Sequence, residues 1–522
     1  MKTVSARRLL FAAAAMLCTI AFSADAPRRV EIKVKLDPAI GSPFNDGIFE
    51  GWGTSLCWWA NRIGYSDKLT DAAVDAFFDR SKGLMLNVAR YNIGGGDDPS
   101  HRHITRSDSN MPGFAQPVLS PDGAIEVDDD GIAIYQYDWD RDKNQMNVLT
   151  KILARSPDTL VEAFSNSPPY FMTWSGCSSG GRGAHKDNNL KPEYVGPFAE
   201  FLADVVKHFR DDLHIRLNSI EPFNEPSSGY WSANSNKQEG CDFKDNQFKS
   251  EVIMALDKAL RRRGVRDGIN LAVTDETSMD LTMDVYRALS PEAKKAADRI
   301  NTHSYSGSRR EAMRELAKNE KKQLWMSEVD GNSMAGGQAA GDMGGPLWLA
   351  KRIIEDMNGM RPSAWVLWQV IDRHRSDFNA AERANTSLSG SYWGLGIADH
   401  FEGKLLLGKR YYAFGQFTRY IRPGDRIVAS SSGNTLAAYN RESGKIAIVA
   451  VNEHAEEQPV TFDLGAFDRI PADSAKVIRT SGRVNAGENW NEDIPSVPIR
   501  RKKLSVRLAP YSITSFVIEK PR

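Results

Sequence analysis

The sequence predicts an α/β protein, a (β/α)8 TIM barrel with an associated antiparallel β-sandwich domain, and three features carry that prediction. Between Gly47 and Tyr420 eight apolar strand-like runs alternate with helical stripes, the order expected of a barrel with expanded loops. At Arg422-Pro-Gly424 the helical periodicity stops, and short alternating runs such as Lys445-Ile-Ala-Ile-Val-Ala-Val451 continue to the end of the chain, which reads as a sandwich. The length, 522 residues, leaves room for both. The expected divisions are a leader over 1–26, a strand segment over 27–44 that joins the sandwich, the barrel over 45–421 and the sandwich over 422–522.

Taken in order, the leader has Lys2, Arg7 and Arg8 before an apolar run from Leu9 to Phe22, then Ala24-Asp-Ala26. That is the pattern of a cleavable signal peptide, too short in its apolar part to span a bilayer. Cys18 follows Met16-Leu17 and lacks the small residue that precedes a lipidated cysteine. A secreted or periplasmic protein without a membrane span is therefore expected. Next, Val30, Ile32, Val34 and Leu36 alternate on one face of a strand. Barrel strands are predicted within 47–59 and over 85–93, 159–164, 215–225, 270–274, 299–303, 323–326 and 364–370. Helices are predicted near 68–80, 143–155, 192–209, 247–262, 280–289, 308–319, 346–358 and 409–420. The stripe Val195, Phe198, Phe201, Leu202, Val205 and Phe209 is the clearest of these.

Lys and Arg number 67 and so do Asp and Glu, so no global field favours nucleic acid or an anionic membrane. The expected partner is a neutral polysaccharide or oligosaccharide, and the expected state is a monomer. No cofactor or metal is predicted. Gly94-Gly-Gly96 lacks the Lys and Ser/Thr of a phosphate loop, His101-Arg-His103 has no accompanying His/Cys cluster, and Asp128-Asp-Asp-Gly131 lacks the closing Glu of a calcium loop.

The chemistry rests on two acidic stretches, Asn218-Ser-Ile-Glu-Pro-Phe-Asn-Glu-Pro226 and Leu324-Trp-Met-Ser-Glu-Val-Asp330. Both end a predicted strand, four and seven, at the face where barrels carry their active sites. Paired carboxylates there suit glycoside cleavage, with one acid protonating the leaving oxygen and the other attacking the anomeric carbon from about 5 to 5.5 Å away. Period-two alternation puts Glu221, Phe223 and Glu225 on one face. Glu225 is read as the acid/base, because Pro226 halts the strand and Asn224 can bond a sugar hydroxyl, while Glu221 is read as a structural partner. Glu328 is read as the nucleophile, supported by Arg90 from the second strand. His303 and Tyr305 could orient either carboxylate, Trp368 could floor the sugar site, and Trp58 and Trp59 could serve as core or as platform. A non-catalytic sugar-binding protein is the alternative of another class; the presence of both carboxylates argues against it.

The segments Gly51-Trp-Gly-Thr-Ser55, Ala89-Arg-Tyr-Asn-Ile-Gly94, Phe164-Ser-Asn-Ser-Pro-Pro169, Glu221-Pro-Phe-Asn-Glu-Pro226, Trp325-Met-Ser-Glu328 and Leu508-Ala-Pro-Tyr-Ser512 resemble glycoside hydrolase family 30. The resemblance implies a retaining barrel enzyme whose sandwich takes in the N-terminal strand, with Glu225 at the acid/base position and Glu328 at the nucleophile position. Cys57-Trp-Trp59, Gly94-Gly-Gly-Asp-Asp98, Ser175-Gly-Cys177 and Gln238-Glu-Gly-Cys241 are similar to the branch that acts as endo-β-1,6-galactanase on arabinogalactan side chains, with Tyr170 standing where that branch would have Trp. Activity on β-1,6-glucan or xylan by the same mechanism is the alternative within the family. In the same segments Cys177 and Cys241 fall in the loops after strands three and four, and a disulfide between them is expected, leaving Cys57 as a buried thiol.

Overall fold

The computed structural model describes residues 30–96, 103–181, 188–233, 235–331, 341–390 and 392–520. The expected leader with Cys18, and also Asp97, Asp98 and His101, lie outside them. Eight parallel strands close into a barrel: Gly51–Ser55, Val88–Ile93, Leu160–Ser165, Ser219–Glu221, Asn270–Ser278, Arg299–Ser306, Gln323–Val329 and Ala364–Leu367. They are the first to eighth strands below. Each is buried on both faces, which is why the sequence shows near-continuous apolar runs rather than alternation.

The outer helices follow from their stripes. Helix Val195–Asp211 buries Phe198, Phe201, Leu202, Val205 and Phe209 and leaves Gly196, Lys207 and Arg210 in solvent. Helix Asp67–Phe77 starts where Ser66 accepts from the Leu69 N–H, satisfying a donor that the first turn cannot.

The fourth strand is shorter than its sequence suggests. It stops at Glu221, because Pro222 has no N–H to continue the ladder. The alternation read from Glu221 through Glu225 therefore breaks, and Glu225 stands on a loop. Two excursions also escape periodicity. One is a hairpin, Ala115–Pro117 with Tyr135–Tyr137; the other is a three-stranded sheet, Ile371–Arg375, Gly396–Asp399 and Lys404–Leu407, set between the eighth strand and the last barrel helix. Ile371-Asp-Arg-His-Arg375 has no apolar face to announce a strand.

A second sheet takes strands from both ends of the chain. Ile32–Asp37 lies between Gln458–Asp463, to which it runs parallel, and Arg426–Ser430, to which it is antiparallel. The remaining pairings are antiparallel, and Ser474–Ser481 bonds Ser512–Ile518 on one side and Val497–Arg500 on the other, so the sheet curls round its own core. Val34, Leu36, Phe462, Leu504 and Phe516 lie in that core. Val30 and Ile32, expected on the same face, are exposed, because pairing begins only at Ile32 opposite Val460.

The two units share strand Ile446–Asn452. Ile446, Ile448 and Ala450 face the second core, whereas Ala447, Val449 and Val451 belong to the core of the barrel, so period-two geometry buries both faces. Helices Gly344–Gly359 and Lys409–Thr418 fill the space between, and there Gly415 admits the indole of Trp490, whose ring would lie 2.0 Å from a Cβ at that position.

Val34→Asp places an unpaired carboxylate in the second core and should cost about 3 kcal/mol or more. Lys33→Gln, one residue away on the exposed side, should stay within about 0.5 kcal/mol. Urea midpoints for the two variants measure this, and equal midpoints would refute the register of the N-terminal strand.

Candidate active site

At the carboxyl ends of the strands lies a cleft of about 530 Å³ whose walls include Glu225, Glu328, Asn224, Tyr305, Trp58 and Trp368. Glu225 reaches it from the loop after the fourth strand, in a left-handed backbone conformation, φ +48°. Three bonds hold that loop. The Glu225 N–H donates to the Asp275 carbonyl at 2.8 Å, and the Glu225 carbonyl accepts from the Ser228 N–H at 2.9 Å and from Trp231 Nε1 at 2.8 Å. The strain of a positive φ is thus borne by fixed partners on the fifth strand and in the loop itself.

Arg90 is fully buried with its guanidinium stacked on Phe164. Its nitrogens reach carboxylates from three strands: Glu162 at 2.9 Å, Asp275 at 2.6 Å and Glu328 Oε2 at 2.8 Å. Burial alone would drive the proton off, but these carboxylates outweigh it and raise the Arg90 pKa. Tyr305 donates to Glu328 Oε1 at 3.0 Å.

His303 joins the two halves. Its Nδ1 lies 2.9 Å from Glu225 Oε1 and 3.6 Å from Glu328 Oε1, and its Nε2 lies 3.1 Å from Asp275 Oδ1. Burial opposes a charged ring here, yet Glu328 and Asp275 prevail and raise the His303 pKa well above its ordinary value. In its charged form the ring would donate from both nitrogens, to Glu225 and to Asp275. One oxygen each of Glu225 and Glu328 and one nitrogen of His303 lie within 4.8 Å of one another, the spacing of a metal site as well. The acidic neighbours that raise the His303 pKa favour the proton that a ligating nitrogen would have to lose, so the donor set suits a proton better than a metal.

The Glu328 carboxyl is pushed up to about 7, first by burial and further by the like charge of Glu225, against the pull of His303 and Arg90. Tyr230 donates its hydroxyl to Glu225 Oε2.

The sequence-derived set of Glu225, Glu328, Arg90, Asn224, His303, Tyr305, Trp368 and Trp58 converges on this one place. Trp58 and Trp368 meet edge to face at 5.0 Å on the cleft wall, whereas Trp59 is wholly core. Asp275 was within reach of the same reasoning: the predicted fifth strand ended at Thr274, one residue short of it. Tyr230 and Trp393, which also line the cleft, have no local signal; each arrives from a long loop.

Two expectations are corrected. Cys177 and Cys241 are free, buried thiols and not a disulfide. Each sulfur has its own partners, Ser175 and Ser179 hydroxyls for Cys177 and the Asp242 carbonyl for Cys241. Glu221 is not a paired structural carboxylate. Neither of its oxygens has a hydrogen-bond partner among the described residues, and burial first, then the charges of Asp275 and Glu162, raise its pKa well above the ordinary range against Arg90 and Arg299.

The sequence profile of O-Glycosyl hydrolase family 30 matches residues 45–379. An endo-β-1,6-galactanase of Hypocrea rufa is 30% identical over 509 residues, which cover 94% of this chain and 95% of that protein. An exo-β-1,6-galactobiohydrolase of Bifidobacterium longum subsp. longum is 24% identical over 584 residues, 90% of this chain but only 38% of the relative. Among solved structures, the catalytic domain of a GH30 xylanase C from Talaromyces cellulolyticus superposes with a TM-score of 0.66 at 16% identity, covering 94% of this chain and 100% of that one.

Glu221 yields a pH prediction. Above the ordinary glutamate value of about 4.3 the unfolded chain releases a proton that the folded chain keeps, so this group costs stability as pH rises toward its folded pKa. Gln imitates the protonated acid and cannot titrate. The Tm advantage of Glu221→Gln over the parent should therefore grow between pH 4 and pH 8, as followed by calorimetry; a pH-independent difference would contradict a neutral Glu221.

Proposed function

The chain belongs to O-Glycosyl hydrolase family 30, and on that premise we propose that it is a secreted, retaining endo-β-1,6-galactanase acting on arabinogalactan side chains. The observation that carries the mechanism is the separation of the two carboxylates. Glu225 and Glu328 bring oxygens within 4.8 Å of each other, close to the about 5 to 5.5 Å of retaining enzymes and short of the about 6.5 to 9.5 Å that leaves room for water in inverting ones.

In this reading Glu225 is the acid/base and Glu328 the nucleophile. The negative charge of Glu225 is one of the causes that raise Glu328. With the proton on Glu225, the like charge that lifts Glu328 disappears, while Arg90 and His303 still hold Glu328 ionised. The contacts support this placement: inside the barrel Arg90 and His303 both lie against Glu328, the carboxylate that must be ionised to attack. Glu328 then attacks the anomeric carbon as Glu225 protonates the departing oxygen. Water, deprotonated by Glu225, releases the glycosyl group from Glu328. Trp58 and Trp368 offer ring surface to the sugar.

The galactanase relative, which aligns over nearly the whole of both chains, supports the β-1,6-galactan assignment, and the Ala24-Asp-Ala26 leader supports export. No helix of the described residues is long and apolar enough to cross a membrane.

Incubation with β-1,6-galactan, β-1,6-glucan and glucuronoxylan should release oligosaccharides from the galactan alone. Preferred cleavage of glucan or xylan would move the substrate, and cleavage of none would favour a binding protein. Proton NMR during hydrolysis should show the β-anomer first. Glu225→Gln and Glu328→Gln should each lower kcat by about a thousandfold or more with Tm preserved, the scale expected when a general acid or a nucleophile is lost; full activity in either would break the assignment.

A further inference from the structure

Every phenylalanine among the described residues is buried except two, Phe378 and Phe401, which are 56% and 46% exposed. Both line one groove of about 330 Å³, where they face Tyr65, itself 60% exposed. An isolated exposed aromatic needs no explanation, but three gathered in one concavity do. The three come from separate places: Tyr65 follows the helix Trp59–Ile63, Phe378 follows strand Ile371–Arg375, and Phe401 lies between strands Gly396–Asp399 and Lys404–Leu407. The small sheet after the eighth barrel strand therefore carries Phe378 and Phe401, and the first helix carries Tyr65.

The rings are held in place from behind. His400 stacks on Tyr65 at 5.8 Å and 13°, and Nδ1 of His400 lies 2.8 Å from the Tyr65 hydroxyl. The Arg375 guanidinium stands 5.1 Å from the centre of Phe401 while pairing Asp399 at 2.8 Å. Arg62 stands over Phe378 and donates to Ser376 at 2.7 Å. Fixed rings with polar groups between them suit pyranose units, whose C–H faces lie on aromatic surface while their hydroxyls reach outward.

The groove and the catalytic cleft are separate cavities on either side of a polar pocket. Arg106 and Asp372, 3.4 Å apart, line both that cleft and an intermediate polar pocket of about 340 Å³. Glu382 and His374 line the intermediate pocket, and each touches a wall of the aromatic groove: Glu382 through Arg62 at 3.2 Å, His374 through His400 at 3.0 Å.

We propose that the groove of Tyr65, Phe378 and Phe401 is a second, non-catalytic binding surface for the polysaccharide, which holds a remote part of the chain whose scissile bond lies between Glu225 and Glu328. The inference rests on the reading of the cleft as a polysaccharide hydrolase site. A polymer that engages both places gains from the tether between them, and a short oligosaccharide engages the cleft alone.

The test is the triple variant Tyr65→Ala/Phe378→Ala/Phe401→Ala, with Phe378→Ala as a milder companion. On soluble β-1,6-galactan KM should rise about tenfold, equivalent to about 1.4 kcal/mol of binding, with kcat unchanged and activity on a short β-1,6-galacto-oligosaccharide unchanged. In the Glu328→Gln background the triple variant should also lose retardation in native gels containing the galactan. Equal KM on polymer and equal retardation with and without the three rings would overturn the proposal, as would an equal loss on polymer and oligosaccharide. Failure of the functional reading is separate: the unmodified protein would then release nothing from galactan, and retardation in glucan and xylan gels would still compare the variant with its parent.

Discussion

The guanidinium of Arg90 is the interaction on which the barrel mouth depends. Taking such a charge out of water costs several kcal/mol, which is recovered only when its donors are met with good geometry. Here they are met by Glu162, Asp275 and Glu328, from the third, fifth and seventh strands, with the Phe164 ring beneath. Without Arg90 each of those carboxylates would lose a buried cationic partner, leaving Glu162 to Arg299, Asp275 to His303 and Glu328 to Tyr305 and His303. The alignment of the strands and the electrostatics of the site are therefore one constraint.

Asp275 extends it to the other side of the cleft. It sits between Arg90 and His303, and His303 reaches Glu225, so a chain of cation and anion contacts runs from one proposed catalytic carboxylate to the other. A change at any link alters the field at both. The layout also explains why the Glu225 loop accepts a positive φ: the Asp275 residue that bonds His303 through its side chain bonds the Glu225 N–H through its carbonyl. Above this floor long loops supply Tyr230 and Trp393, and the short turn after the first strand supplies Trp58, and with them the shape of the cleft.

The second sheet is bound to the barrel in a way that leaves neither unit a free face there. Strand Ile446–Asn452 sends alternate residues into two cores, and Trp490 packs into the gap at Gly415. The N-terminal strand closes the far side of that sheet, which ties the beginning of the described chain to its end.

The eight strands and their helices were legible because burial on both faces, or on one stripe, leaves a periodic mark in the residues themselves. Glu225, Glu328 and Arg90 were legible for a related reason: in a barrel a strand end is a place at the active face, and a charged residue there breaks an apolar run conspicuously. What depends on partners far along the chain left no such mark. The paired role expected of Glu221 failed because it is buried without a hydrogen-bond partner among the described residues, and burial with the nearby charges of Asp275 and Glu162 outweighs Arg90 and Arg299 in raising its pKa. The bridge expected between Cys177 and Cys241 is not formed, because adjacent loops do not by themselves give two cysteines the geometry of a disulfide. The small sheet after the eighth strand is not announced by the sequence, since strand Ile371–Arg375 is polar and its two partners are only four residues long. By itself the sequence determined the barrel and the residues at its mouth, through local patterns of burial. Only the tertiary structure decided their charges and the aromatic groove beside them, because both arise from contacts between residues hundreds of positions apart.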